Sequence, residues 1–284
     1  MAYVTTKEML QKAHREGYAV GAFNVENMTM VQAVVDAAAE LDAPVIIQTT
    51  PGTLRVADVD MFVAMVKNEA AKVRVPIALH LDHGNSFELA ARAMKAGYTS
   101  VMIDGSKLEF EENIAVSGKV AELAHALDIP VEAELGTVGG KEDGHHVKDM
   151  EQAFTDPEKA EEFVKRTEVD FLALGIGNAH GFYKGVPKLR FDILLETKRR
   201  IDIPLVLHGA SGIPDEDVRK ATGMGIAKVN FATELRAAYS DGVKSCLERE
   251  PDCIDPKKYS ESGKACVREL VKHKITVCGS AGRA

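Results

Sequence analysis

The sequence predicts a TIM (β/α)8 barrel with a C-terminal helical extension. Short β-branched runs alternate with longer stretches of helical periodicity, and eight such units fit within 284 residues. Barrels of about 250 residues fold as one unit, so residues 1–284 are read as a single domain. An open doubly wound sheet would show the same alternation, but nothing after the first strand resembles the G-x-G-x-x-G fingerprint of that fold.

The elements follow in order. In "MAYVTTKEMLQKAHREG", Thr5 and Glu8 stand at capping-box spacing and predict a helix start. The strands are "YAVGAFN" (18–24), "PVIIQTT" (44–50), "PIALHLD" (76–82), "SVMIDGS" (100–106), "PVEAELG" (130–136), "FLALGIG" (171–177), "PLVLHGA" (204–210) and "IAKVNFA" (226–232). Between them, stretches such as "MTMVQAVVDAAAELD" and "FELAARAMKAG" repeat apolar residues at three and four positions, which lines one helix face. From about Glu234 the pattern gives one closing helix, then "DPKKYSESGKACVRELVKHKI" as a helical extension suited to packing or oligomer contacts.

Composition narrows the function. A 45% hydrophobic, 27% charged chain without low-complexity tracts is globular, and a net charge of −8 argues against a nucleic-acid partner. No window approaches the roughly 18 apolar residues of a membrane span, so no membrane partner is expected. The N-terminus lacks a signal-peptide core, and the four cysteines Cys246, Cys253, Cys266 and Cys278 contain no Cys-x-x-Cys pair. A cytoplasmic protein with reduced thiols and a small-molecule partner is expected.

In such a barrel, chemistry sits at the C-terminal ends of the strands. There the third strand ends in Asp82 and His83, and the fifth carries Glu132 and Glu134. The sixth runs into "GNAHG" with His180, the seventh ends at His208, and the eighth holds Asn230. A single histidine at a strand end is usually a hydrogen-bonded rim residue. Three leaving different strands at one rim, with acids beside them, describe a candidate catalytic metal site. The alternation of a strand places Asp82 and His83 on opposite faces. His14, His125 and His273 fall in helical stretches, His80 within a strand, and His145 and His146 in a polar loop, so these six are read as structural or solvated. "HGASG" (208–212) and "VNFAT" (229–233) follow the seventh and eighth strands, where barrels bind phosphate through backbone N–H groups. "GTVGGKEDG" (136–144) is long and polar enough for a mobile lid.

The ordered set "GYAVGAFN", "HLDHG", "SVMIDGS", "VEAELGTVGGKEDG", "HGFYKGVP", "PLVLHGASGIP", "AKVNFATEL" and "CGSAGRA" resembles the zinc-dependent class II ketose-bisphosphate aldolases over nearly the whole chain. The resemblance implies zinc on His83, His180 and His208, with Glu134 as an alternate ligand. It implies Asp82 as acid/base at the sugar C4 hydroxyl and Glu142, on the lid, as the group that handles the proton on the dihydroxyacetone carbon. Asn24 and Asn230 would orient these groups and the substrate. Gly181, Gly209, Ala210, Ser211, Phe231, Ala232 and Thr233 match the region that holds the C1 phosphate, with Lys184 and a monovalent cation, Na⁺ or K⁺, nearby. Arg236 would serve the C6 phosphate. The products implied are dihydroxyacetone phosphate and glyceraldehyde 3-phosphate, and a homodimer or homotetramer is expected.

The epimer at C4 divides the signals. "APVIIQTTPGT" and Ala232 resemble the tagatose-bisphosphate branch, whereas Gly84 and Arg236 resemble the fructose-bisphosphate branch. Lys257 stands where the family usually has an arginine that reaches a neighbouring subunit's substrate, and a lysine could bind a phosphate there only as a point charge. Two other classes share these features: a non-catalytic sugar-phosphate-binding barrel, and a metal-dependent hydrolase on the same fold.

Overall fold

The computed structural model describes residues 2–142, 145–147, 154–183 and 185–284, with backbone alone over 140–142 and 145–147. In chain order the elements are α1 (Thr6–Glu16), β1 (Val20–Asn24), α2 (Met28–Glu40), β2 (Val45–Thr49), α3 (Pro51–Leu54), α4 (Val59–Ala70), β3 (Ile77–Gly84), α5 (Phe87–Ala96) and β4 (Ser100–Ile103). There follow α6 (Phe110–His125), β5 (Val131–Leu135), β6 (Gly139–Glu142), β7 (His145–Val147), α7 (Pro157–Thr167), β8 (Phe171–Leu174) and β9 (Ala179–His180). The chain ends with α8 (Phe191–Arg200), β10 (Leu205–Leu207), α9 (Asp215–Gly223), β11 (Ile226–Phe231), α10 (Thr233–Arg249) and α11 (Pro256–Cys278).

Among the described residues, strands β1, β2, β3, β4, β5, β8, β10 and β11 close into an all-parallel barrel, with β11 returning to pair with β1. The predicted barrel is therefore the observed one. Both faces of these strands are covered, which is why they read as near-continuous apolar runs. Helix α1 crosses the N-terminal mouth, where Met9, Leu10 and Ala13 pack onto Val20, Ile46, Phe171 and Val206. Above that apolar floor the interior turns polar: Gln48, His80, Ser100, Glu132 and Lys228 are all buried.

Local chemistry explains where helices begin and end. Asn27 and Ser86 cap α2 and α5 by accepting from Met30 and Leu89 N–H, while Asp156 and Asp255 cap α7 and α11 just before Pro157 and Pro256. Helix α1 does start at Thr6, but the Thr5 side chain makes no cap hydrogen bond, so the expected capping box is not formed. The start is fixed instead by packing of α1 on the barrel floor and by Thr6 Oγ1, which donates to Ser100 Oγ at 3.0 Å.

Two further expectations change. The segment read as a lid loop pairs instead: β6 runs antiparallel to β7 and parallel to β9, so His145 and His146 lie on a strand. Asp82 and His83 do not simply alternate. The β3–β4 register shifts between Leu81 and Gly84, and His83 adopts a left-handed φ of 49°. Such a bulge re-aims side chains at a barrel rim.

The extension is as expected. Helix α11 packs along α2 and α10, and the terminal backbone is tied down by Gly282 N–H to Leu41 O at 2.8 Å and Ala284 N–H to Asp42 O at 3.0 Å.

Candidate active site

The C-terminal rim gathers the residues that the strands deliver to it. Asn24, Asp82, His180, Gly181, Gly209, Ser211, Asn230, Ala232 and Thr233 line one cleft. Within it, the Asp82 carboxylate accepts from Asn24 Nδ2 at 2.8 Å and from Asn230 Nδ2 at 3.0 Å. Gln48 Nε2 donates to Asn24 Oδ1 at 2.7 Å, which fixes the orientation of that amide. Burial pushes the Asp82 carboxyl up, but the neighbouring His83 and His208 rings, Lys228 and the Asn24 amide together bring it below its ordinary value.

Beside Asp82 stand the three imidazoles. His83, His180 and His208 present ligand nitrogens within 4.8 Å of one another, and His83 belongs to a second such group with Asp104 and Glu134. His208 Nδ1 lies 3.0 Å from His83 Nε2, while the other nitrogens are engaged: His83 Nδ1 by Asp104 Oδ2 at 2.8 Å and His208 Nε2 by Glu132 Oε1 at 2.6 Å. Burial first, then the charge of neighbouring imidazoles, holds His180 and His208 well below the usual imidazole range, which favours the neutral form a metal needs.

The acids around them differ sharply. Burial pushes the Asp104 carboxyl up, but the His83 ring and the Ser106 hydroxyl and N–H outweigh it and hold it below the usual carboxylate range. Burial and the Asp104 charge push Glu134 up to about 8. Its Oε2 is buried with no hydrogen-bond partner, 3.6 Å from His208 Nδ1. Three converging imidazoles, two of them with outer nitrogens held by carboxylates, plus an unpartnered buried carboxyl oxygen, fit a divalent cation.

Not every expected residue faces the cleft. Ala210 is buried and its N–H donates to Asn230 O at 3.3 Å, and Phe231 stacks on Phe23 at 5.7 Å behind the wall. Arg236 stands outside the lining, its Nε 2.7 Å from Glu26 Oε1. Glu142 ends β6, with its side chain outside the description, and Lys184 lies outside the described residues. Lys257 pairs with Asp255 of its own chain at 2.8 Å. At Gly209 (φ 61°) a Cβ would meet Ala179 O at 2.4 Å, so only glycine allows the seventh-strand turn to close onto the sixth.

Sequence reading passed over Asp104, Gln48 and Lys228 and gave Glu132 no role. Asp104 alone carried a signal: it closes the fourth strand as Asp82 closes the third.

The family model described as "Fructose-bisphosphate aldolase class-II" matches residues 4–283. The chain belongs to that family. This aldolase is 46% identical over 283 residues, a coverage of 100% for each chain to the nearest per cent, to the D-tagatose-1,6-bisphosphate aldolase subunit GatY of Klebsiella oxytoca. The crystal structure of the YdjI aldolase of Escherichia coli K12 matches with a TM-score of 0.87 and 36% identity over 99% of each chain. That of the fructose-bisphosphate aldolase of Campylobacter jejuni has a TM-score of 0.84 at 23% identity, over 100% of this chain and 97% of that one, a likeness of fold. The protein is thus a class II aldolase of the tagatose/fructose-bisphosphate type, and none of its described helices is long and apolar enough to cross a membrane.

Proposed function

We propose that this aldolase is zinc-dependent and reversibly cleaves D-tagatose 1,6-bisphosphate to dihydroxyacetone phosphate and D-glyceraldehyde 3-phosphate. The observation that carries the reading is the juxtaposition of an amide-held carboxylate, Asp82, with three converging imidazoles at one rim. Zinc on His83, His180 and His208, with Glu134 as alternate ligand, supplies the Lewis acidity at the ketose carbonyl that a lysine Schiff base supplies in other aldolases.

The chain's own groups do the rest. Asn24 and Asn230 hold both Asp82 oxygens, so the carboxylate is aimed without freedom to rotate, and it takes the C4 hydroxyl proton as the C3–C4 bond breaks. Glu142 returns a proton to C3 of the dihydroxyacetone half. Gly181, Gly209, Ser211 and Thr233 receive the C1 phosphate at the N-terminus of α10, where the helix dipole favours an anion. Ala210 and Phe231 support that pocket from behind, and Lys184 with a monovalent cation completes its charge balance. Arg236 meets the C6 phosphate, and the chain acts as a homodimer or homotetramer. The reading also takes residues 1–284 as one domain acting in the cytoplasm.

Ala232 lines the cleft and offers no side-chain partner to a sugar hydroxyl, which supports the tagatose epimer. The resemblance of Gly84 and Arg236 to the fructose-bisphosphate branch gives fructose 1,6-bisphosphate as the second reading. Sites without a buried hydrogen-bond partner discriminate weakly, whereas sites built around one reach about 10⁴-fold. Comparison of kcat/KM for the two bisphosphates therefore tests the reading. Cleavage of both, with a modest tagatose preference that moves toward fructose in Ala232→Asp, is expected; a preference for fructose by orders of magnitude overturns it.

A further inference from the structure

Beneath the metal ligands lies a charged pair that the mechanism does not use. Lys228 and Glu132 are fully buried, and Lys228 Nζ sits 2.7 Å from Glu132 Oε2. Strands β10 and β8 separate β11 from β5 in the barrel order, so this ion pair spans the interior rather than neighbouring strands. The other carboxylate oxygen, Oε1, lies 2.6 Å from His208 Nε2. His80 backs the pair, with Nε2 3.4 Å from Glu132 Oε2 and Nδ1 2.8 Å from Ser100 Oγ.

Resting on the reading that His208 holds the metal, we propose that Glu132 and Lys228 are positioning residues that set the tautomer and ring orientation of His208. A carboxylate only accepts hydrogen bonds, so its contact with His208 places the ring proton on Nε2. Nδ1, which faces His83 Nε2 at 3.0 Å, then presents its lone pair to the rim. Lys228 fixes the carboxylate, because a glutamate with one oxygen unpartnered could rotate away from the ring. A purely stabilising role explains the pair poorly. Buried ion pairs replaced by well-packed apolar residues often cost a protein nothing, so a pair kept at the barrel centre suits orientation better than stability.

The test uses two double variants of the full chain. Glu132→Gln with Lys228→Met removes both charges at nearly constant volume and keeps an acceptor for Nε2–H. Glu132→Leu with Lys228→Met removes the acceptor as well. For each, zinc affinity is measured by competition with a chromophoric chelator, and the His208 tautomer by ¹⁵N NMR on metal-free protein. Loss of such outer partners weakens metal binding by about 10- to 100-fold. The Leu/Met variant is expected near the upper end with a mixed tautomer. The Gln/Met variant is expected near the lower end with Nε2–H retained, and its near-constant volume preserves the test if the other does not fold. Wild-type zinc affinity and an unchanged tautomer in folded variants, whatever their melting temperatures, would overturn the proposal. His208→Ala separates the two readings. If wild-type protein binds no zinc, or His208→Ala binds it equally well, the metal reading fails; if His208 is needed and the double variants bind normally, this inference alone fails.

Discussion

At the scale of single residues, Asp82 and Glu134, both near the imidazoles, are tuned in opposite directions. The Asp82 carboxyl, net lowered and held by two amides, is ready to accept a proton at neutral pH. General acid–base groups contribute about 10²- to 10⁴-fold, so Asp82→Ala should lose cleavage on that scale while metal content stays at wild-type level. Glu142→Ala should differ, with the main loss in proton exchange on bound dihydroxyacetone phosphate, read by solvent deuterium incorporation. Near-normal cleavage in Asp82→Ala would reassign the base. Glu134 behaves differently again. Its folded value of about 8 lies above an unfolded value near 4.3, so its contribution to stability is full below the lower value and is lost as pH rises through the higher. The lowered His180 and His208 act oppositely, adding stability that is lost as pH falls below about 6.5, so the window between about 6.5 and 8 isolates Glu134. There metal-free protein should lose up to about 1.4 kcal/mol per pH unit, a slope that Glu134→Gln removes in urea titrations. The residues legible in the sequence were those with distinctive chemistry at a strand end. The parts played by Glu132 and Lys228 were not, because they lie in which side chain each faces across the barrel, and spacing along the chain does not report that.

Among the elements, the third strand departs from the simple alternation that pattern reading assumed. Period-two alternation would separate Asp82 from His83, but both stand in a bulge opposite Met102, with His83 N–H 3.4 Å from the Met102 sulfur. The bulge lets Asp82 meet Asn24 and Asn230 while His83 meets Asp104. The segment 139–142 likewise hides its pairing in glycine-rich sequence. Gly139 and Gly140 pair with Ala179 and His180, so the strand that carries Glu142 is hydrogen-bonded to the strand that carries an expected ligand. Helix starts give a direct contrast. Ser86 accepts from Leu89 N–H at 3.2 Å, whereas Thr5 caps nothing. Ser86→Ala should therefore cost about 1 kcal/mol in urea denaturation, and Thr5→Ala should change stability little. An equal loss from Thr5→Ala would restore the capping box.

For the whole molecule, eight buried strands with helices between them were legible because a parallel sheet covered on both faces must be apolar along its length. What periodicity did not convey is the layering inside the barrel, with an apolar floor plugged by α1, a buried ionic layer at Glu132 and Lys228, and the candidate metal ligands above it. That order lets His208 be held from below. The central claim is that aldol cleavage runs on a metal held by His83, His180 and His208, and the rate of tagatose 1,6-bisphosphate cleavage by metal-stripped protein before and after one equivalent of zinc tests it most directly. Cleavage should vanish on stripping and return with zinc in the wild type but not in His208→Ala; full cleavage by metal-free protein, with a borohydride-trapped lysine adduct, would contradict it.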